Sequence, residues 1–258
     1  MKMVAKNLSL KKEILEIFGV GPVVERLEGD GDINSLWMSK QRKAKGGPAI
    51  SKILKLANAA GVEVQSVDKS LLDKRTKGQN HQGVLIEAPP FEYADLWDVI
   101  KGNDDGRVVL LALDGVTDPQ NLGAILRSAY LLGVNAVVLP KDRSAKINGV
   151  VLKTSAGAAE QIPVVMVTNL SRTLQDLKDE GYWNAAICGG DGATDIRNAD
   201  KSGNLCLVMG AEGEGLRPGV LKNCDYTWEI PMFKDGVGSF NVSVAAAIVM
   251  FEVVGRSS

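Results

Sequence analysis

The chain is poor in the residues on which many catalytic sites depend. It has one histidine, His81, and three widely spaced cysteines, Cys188, Cys206 and Cys224, among 258 residues. A Ser-His-Asp or Cys-His relay would have to be built around His81, and no G-x-S-x-G segment accompanies it. An odd number of scattered cysteines predicts neither a disulfide framework nor a zinc site, and ligating side chains do not cluster elsewhere. Hydrolase and metal chemistry are therefore disfavoured.

Other common signatures of function are also missing. No G-x-x-x-x-G-K-[ST] segment predicts a P-loop, and the glycines at 189–192 lack the full G-x-G-x-x-G pattern of a nicotinamide dehydrogenase. No apolar run reaches the ~18 residues that a membrane-spanning helix needs, and the polar start at 1–6 does not resemble a secretion signal. We therefore expect no membrane partner. The three scattered cysteines also predict a reducing compartment.

The net charge of −1 conceals an uneven distribution of charged residues. Residues 1–90 contain 15 lysines and arginines against 10 acids, whereas residues 91–258 contain 15 against 21. No acid occurs from Ile33 to Val62, although this stretch contains several basic residues: Lys40, Arg42, Lys43, Lys45, Lys52 and Lys55. A basic face of this kind is typical of nucleic-acid binding. The sequence therefore predicts such a face on the N-terminal part of the chain.

The hydrophobic pattern divides the chain into two α/β domains. A helix at 47–60 and strands at 35–39, 62–67 and 82–88 predict a small domain within residues 1–90. Prolines at 89 and 90 and turn residues at 102–106 predict an extended linker over 91–106. From 107 to 258, apolar strands alternate with helices, which predicts a mostly parallel sheet covered on both faces.

Three segments of the second domain place glycines or polar side chains where a strand leads into a helix. They are the ranges 118–127, 210–216 and 238–245. The carboxyl ends of parallel strands are where such folds bind ligands, and glycine lets the backbone approach a ligand closely. We therefore expect the three segments to form one composite site, although they lie far apart in the chain.

In their order and in their residues, these segments resemble the three motifs of the SpoU branch of the SPOUT superfamily, the S-adenosylmethionine-dependent RNA 2′-O-ribose methyltransferases. The resemblance covers residues 107–258. It implies a deep trefoil knot, S-adenosyl-L-methionine bound in the loops of that knot, and no metal. It also implies a homodimer, which the nearly all-apolar sequence at 239–254 independently favours, because such a helix must be covered.

The resemblance assigns catalytic roles to Asn121, Arg127, Glu212, Ser239 and Asn241. Arg127 would position the target RNA and stabilise the developing alkoxide, because a guanidinium group holds its proton too tightly to act as a base. At ~100° per residue, positions 121 and 127 of one helix lie roughly 240° apart, so we expect Asn121 in a non-helical cap if the two share a site. The cofactor contacts that the resemblance implies are Gly210, Glu212, Gly215, Ile230, Met232, Ser239 and Phe240.

Four of these residues also have a purely structural interpretation. Asn121 or Ser239 could cap a helix, Arg127 could form a surface ion pair, and Glu212 could complement a helix dipole. Phe240 departs from the family, which usually has leucine there, so the shape of the pocket is expected to differ.

The segment Asn80-His81-Gln82-Gly83-Val84 adds a second resemblance. It is similar to the His-Gln-Gly strand of a small RNA-binding domain, itself similar to a ribosomal-protein fold, in the subgroup that methylates a guanosine of large-subunit rRNA. This resemblance implies an RNA contact from His81, although a packed or capping histidine is the alternative. The basic face predicts RNA contacts from Lys43, Lys45 and Lys52, and the first motif implies one from Arg127.

The subgroup includes mitochondrial and bacterial proteins, and the mitochondrial ones are the more similar. We therefore expect the mitochondrial matrix, with the bacterial cytoplasm as the alternative. Two other functions stay open: methylation of tRNA, whose enzymes often lack the N-terminal domain, and a catalytically silent RNA-binding factor of ribosome assembly.

Overall fold

The computed structural model describes residues 14–29, 31–103, 106–190, 192–233 and 238–255. The polar start at 1–6 lies outside the described residues. The chain divides into two compact units, Met1–Glu92 and Tyr93–Ser258, and the division falls inside the predicted linker. No helix in the described ranges is long and apolar enough to cross a membrane.

The N-terminal unit is a four-stranded mixed sheet with helices packed against it. The strand order is β1-β4-β2-β3, with β2 and β3 parallel and the other neighbours antiparallel. Its elements are β1 (Leu15–Phe18), α1 (Val20–Glu28), β2 (Ser35–Ser39), α2 (Lys40–Lys45), α3 (Pro48–Ala59), β3 (Val64–Val67), α4 (Lys69–Arg75) and β4 (Val84–Ala88).

Helix α3 has the predicted amphipathic character. Ile50, Ile53 and Ala57 are buried, whereas Lys52 and Lys55 are exposed. Apolar residues at this spacing share one helical face, so α3 contributes that face to the core and leaves its cations in solvent. Lys52 and Lys55 of the basic stretch therefore lie on the surface of a folded unit.

The second unit contains a seven-stranded sheet in which every pair of neighbouring strands is parallel. The order is β7-β6-β5-β10-β8-β11-β9. Its elements are α5 (Leu96–Lys101), β5 (Val109–Asp114), α6 (Pro119–Leu132), β6 (Ala136–Pro140), α7 (Gly149–Ser155), β7 (Val164–Val167), α8 (Leu170–Asp179), β8 (Trp183–Ile187), β9 (Thr194–Asp195), β10 (Leu205–Gly210), α9 (Pro218–Leu221), β11 (Tyr226–Glu229) and α10 (Val242–Val253).

Both faces of this sheet are covered, as the apolar strands predicted. Leu110 and Ala112 of β5 pack in one buried cluster with residues of α8 such as Leu174, and α6 and α10 pack on the opposite face. All six residues of β5 are buried. A parallel strand buried on both faces needs a continuous apolar sequence, and residues 108–113 supply it. The predicted α/β class is confirmed, whereas the trefoil knot stays a prediction.

The predicted linker contains a helix that the sequence interpretation missed. Residues 91–106 were expected to be extended, yet α5 occupies Leu96–Lys101, with Leu96 buried in the core of the second unit. The carboxylate of Asp95 accepts hydrogen bonds from the backbone N–H groups of Trp97 and Asp98, at 2.8 and 3.2 Å. This cap and the burial of Leu96 outweigh the helix-averse residues on either side.

Candidate active site

Two strand ends form the base of the candidate site. Strands β5 and β10 are parallel neighbours, and Asp114 and Gly210 lie opposite each other at their carboxyl ends. In the sheet, β6 and β7 lie on the β5 side of this pair, and β8 and β11 lie on the β10 side. The strand order therefore changes direction between β5 and β10. A crevice at such a change of direction is the usual ligand site of a parallel sheet. The loops after both strands carry the first two motifs.

Asn241 connects all three motifs. Its Nδ2 donates to Oδ1 of Asn121 at 3.1 Å and lies 3.4 Å from Oε2 of Glu212. Its Oδ1 accepts from the backbone N–H of Ser243 at 3.0 Å and from the Ser243 hydroxyl. Asn241 is thus the N-cap of α10 while its amide nitrogen binds the other two motifs. The expectation of one composite site agrees with this geometry.

The loop after β10 has a backbone that favours glycine at two positions. A Cβ added to Gly210 would lie 2.2 Å from the carbonyl carbon of Gly215 and 2.5 Å from the nitrogen of Leu216. Gly215 itself has φ of +68° and donates its N–H to the carbonyl of Ala211 at 3.0 Å. The loop therefore folds back onto the end of β10 with no room for a side chain between the two backbones.

Replacing Gly210 with alanine should therefore destabilise this loop. We expect a loss of about 1 to 3 kcal/mol in unfolding free energy, as for other overpacking substitutions, because the obstructing atoms belong to the backbone. Gly238→Ala is the matched control, since a Cβ at Gly238 meets nothing within 4 Å. Urea denaturation of both variants checks this. Equal stability of the two would show that the loop accommodates a side chain.

Arg127 does not lie beside Asn121. Asn121 is the third residue of α6 and lies within the helix, because Asp118 is the N-cap and its side chain accepts from Gln120 N–H at 3.0 Å. The expectation that Asn121 occupies a non-helical cap was wrong. Six residues later, at ~100° per residue, Arg127 lies roughly 240° around the helix. Arg127 is exposed and forms no ion pair or hydrogen bond through its side chain with the described residues.

Ser239 does not begin α10. The helix starts at Val242 and is capped by Asn241, so Ser239 lies in the exposed segment before it. Phe240 and Met232 are exposed over 41% and 54% of their surfaces, and Ile230 is partly buried. Exposed apolar side chains of this kind suit contact with a ligand that has an apolar ring system.

An ion pair between a buried aspartate and a partly exposed arginine at the same strand ends was not anticipated from the sequence. The side chain of Asp114 is fully buried, and its carboxylate accepts from the backbone N–H of Arg217 at 2.9 Å and from Nε of Arg217 at 2.7 Å. These bonds fasten the end of the 210–216 loop to the end of β5. An acid that ends an otherwise apolar strand was a usable signal for Asp114. Nothing local indicated its partner, 103 residues away.

The RNA-contact candidates of the N-terminal unit differ in how available they are. Lys43 and Lys45 are exposed at the end of α2 and form no ion pair within the described ranges. Lys52 is also exposed, but its Nζ lies 2.7 Å from Oε1 of Glu28, which neutralises part of its charge. Lys43 and Lys45 are therefore the stronger candidates for phosphate contacts.

His81 is a packed residue, which corrects the expectation of a direct RNA contact. Only 4% of its side chain is exposed. Its Nδ1 accepts from Gly83 N–H at 2.9 Å, so Nε2 carries the proton that faces Oδ1 of Asp73, also at 2.9 Å. A ring held on both nitrogens and shielded from solvent cannot stack on a base. Its role is to hold the turn between α4 and β4.

Comparison with known proteins identifies the family. The profile described as the SpoU rRNA methylase family matches residues 108–251, more than half of the chain. This chain belongs to the SpoU rRNA methylase family. A second profile, described as RNA 2′-O ribose methyltransferase substrate binding, matches residues 17–94. The family resemblance expected from the three motifs is thus confirmed.

Relatives within the SpoU family extend over nearly the whole chain. The 23S rRNA (guanosine-2′-O-)-methyltransferase RlmB of Xanthomonas campestris is 41% identical over 251 residues, which cover 95% of this chain and 98% of that protein. RlmB of Escherichia coli K12 is 40% identical over 246 residues, covering 94% and 98%. The solved structure of the SpoU methyltransferase AviRb from Streptomyces viridochromogenes, in complex with AdoMet, matches with a TM-score of 0.77 at 20% identity, over 98% of this chain and 94% of that one.

Across the described ranges, no group of three or more His, Cys, Asp or Glu side chains is arranged to hold a metal ion.

Proposed function

We propose that this protein transfers a methyl group from S-adenosyl-L-methionine to the ribose 2′-hydroxyl of a guanosine in large-subunit rRNA. The observation that carries the proposal is the contact of Asn241 with both Asn121 and Glu212, which joins the three family motifs in one cluster. The names of the relatives at about 40% identity support the substrate.

The cofactor would be held by the glycine loop at 210–216 and by the apolar side chains of Ile230, Met232 and Phe240. When bound, it supplies an electrophilic methyl group on a sulfonium sulfur. The chain's own residues must then hold the 2′-oxygen in line with that methyl group and favour loss of its proton. Asn121 and Glu212 present oxygen acceptors, and their bonds to Asn241 hold those acceptors in place. A fixed arrangement of this kind needs little reorganisation during the reaction.

Arg127 completes the site from a second copy of the chain. Within one chain it lies on a different side of α6 from Asn121, yet a cation is needed where negative charge develops on the 2′-oxygen. A two-fold dimer that brings α6 and α10 of two copies together would carry Arg127 of each copy to the cluster of the other. The dimer thus explains both the position of Arg127 and its lack of a partner within the described residues.

The surface of α6 and α10 supports this dimer. Tyr130 and Leu131 of α6 are exposed over 46% and 70% of their surfaces, and Val244 and Phe251 of α10 over 47% and 59%. Large apolar side chains concentrated on two packed helices are typical of an interface. Val249, in contrast, is fully buried within its own chain. The buried apolar residues of α10, such as Val249, therefore belong to the core of the second unit. The proposed interface rests on the exposed ones, such as Val244 and Phe251.

The basic N-terminal unit holds the RNA substrate through Lys43 and Lys45. The origin of the relatives in bacteria favours the bacterial cytoplasm over the mitochondrial matrix as the place of action. The N-terminal unit also separates this chain from the tRNA methyltransferases that lack one.

The proposed reaction has a direct test. Purified protein should bind S-adenosyl-L-methionine in calorimetry, and incubation with unmodified large-subunit rRNA should protect one ribose from alkaline cleavage at its 3′ phosphodiester. Protection of a guanosine in rRNA, and not in tRNA, is the expected result. Protection of a tRNA nucleotide alone would transfer the proposal to the tRNA enzymes. Cofactor binding without methylation of any RNA would support a silent assembly factor.

A further inference from the structure

The N-terminal unit contains a polar depression to which no residue-level role has been assigned so far. It lies between α2, α4 and the turn that precedes β4, with a volume of about 360 Å³. Its lining residues are Ser39, Gln41, Arg42, Lys45, Lys69, Asp73 and the range 78–83. The volume is within the roughly 300 to 1,000 Å³ of typical ligand sites. A depression of this size can receive one nucleotide.

The wall of the depression is held in place from inside the protein. His81 accepts from Gly83 N–H through Nδ1 and donates to Asp73 through Nε2, and this hydrogen bond lowers the pKa of Asp73. Gln82 has φ of +53°, and its Oε1 accepts from Val20 N–H at 2.7 Å. Side chains thus stabilise a turn that would otherwise be strained. A preorganised wall loses little conformational freedom when a ligand binds.

Arg42 lies against this wall with a donor that has no acceptor among the described residues. A Cβ added to Gly83 would lie 2.6 Å from Cβ of Arg42, so the aliphatic part of Arg42 packs directly on the turn. Its Nε is shielded from solvent and has no hydrogen-bond partner among the described residues. A shielded donor without an acceptor is costly, and a shift of the guanidinium towards an acceptor supplied by a ligand removes that cost.

The other free groups of the depression indicate what that ligand is. The amide side chains of Gln41 and Gln79 form no hydrogen bonds with the described residues, and Lys45 has no ion pair there. The one acid, Asp73, already bonds to His81 and Lys69. Guanidinium and amide groups recognise the edges of nucleobases, and an ammonium group suits the adjoining phosphate. Proteins read RNA sequence mainly from unpaired bases.

We propose that this depression receives one unpaired nucleotide of the RNA substrate, with its base against Arg42 and Gln79 and its phosphate against Lys45. The inference rests on the proposed function, because it assumes that the chain binds RNA. It goes further in assigning base recognition to α2 and the turn at 78–83, whereas the exposed lysines outside the depression contact phosphates alone.

Two hairpin RNAs that differ only by one bulged nucleotide test the inference. The full chain should bind the bulged hairpin about tenfold more tightly in fluorescence anisotropy, the effect of one good base contact, and the preference should depend on which base is bulged. In Arg42→Met, which keeps the aliphatic stem and removes the guanidinium, the preference should fall to within about twofold. Gln79→Ala, at an exposed position, is a second variant that should reduce the preference without affecting folding.

Lys43→Ala is the matched control, because Lys43 lies on the same helix but outside the depression. It should weaken binding of both hairpins equally and reduce the slope of log K against log salt by about one. Equal affinity of the wild type for the two hairpins, or a preference retained in both Arg42→Met and Gln79→Ala, would overturn the inference. If the protein prefers the bulged hairpin but methylates no RNA, the inference is upheld and the proposed function is rejected.

Discussion

Replacing Arg127 with alanine should lower kcat for ribose methylation by about 100- to 1,000-fold, the usual effect of removing one donor that stabilises an oxyanion. Affinity for S-adenosyl-L-methionine should be unchanged, because the implied cofactor contacts lie on other segments. The fold should tolerate the change, since Arg127 is exposed and its side chain has no partner among the described residues. Single-turnover methylation, calorimetry and thermal unfolding measure the three quantities.

Arg127→Lys separates charge from geometry. Lysine keeps the positive charge and loses the planar fork of donors, so an intermediate rate is expected. A rate close to that of the wild type in Arg127→Ala would assign the arginine to the protein surface and remove it from the mechanism. If Arg127→Ala also lowered the melting temperature substantially, the arginine would have a structural role.

Mixing two inactive variants should restore activity. If Arg127 acts in the partner's site, a heterodimer of Arg127→Ala with Asn241→Ala contains one site with both residues intact and one with both missing. Random exchange of subunits makes half of the dimers mixed, so about a quarter of wild-type activity should return. If both residues act within one chain, every site in the mixture carries a lesion and no activity returns. Methylation rates before and after subunit exchange distinguish the two.

Loss of the dimer should abolish this complementation. Leu131→Asp places a charge on the most exposed apolar residue of α6. Light scattering should then show a monomer, and the methylation assay should show no activity. Leu221→Asp is the matched control, because Leu221 is also exposed but lies on α9, away from α6 and α10. A fully active Leu131→Asp monomer would contradict the proposed assembly and the role of Arg127 in trans together.

The strands and long helices of this protein could be predicted because their signals are local. Apolar runs at 134–140 and 204–209 correspond to β6 and β10, and the proline at 119 marks the start of α6. Buried parallel strands need continuous apolar sequence, and amphipathic helices need a fixed spacing of apolar residues. The glycines and amides of the three motifs were also visible, because a backbone that approaches itself or a ligand tolerates few residue types.

Other features could not be predicted from local sequence patterns, because contacts between distant residues determine them. The short helix α5 was missed because its stability comes from the burial of Leu96 in a core formed by distant strands. His81 was interpreted as an RNA contact because neither its burial nor its bond to Asp73 follows from the local pattern. The position of Asn121 inside α6 depended on which residue became the cap, and Asp118 and Asn121 are both residues that cap helices well.

The sequence by itself determined the α/β class, the periodicity of the elements, the basic character of the first unit and the polar residues of the site. Only the tertiary structure decided which of those residues meet. Asn241 reaches Asn121 across 120 positions because α10 packs on α6, and Arg217 reaches Asp114 across 103 because the sheet places β10 beside β5. Strand order depends on the burial of all the strands and helices together, so no local pattern contains it.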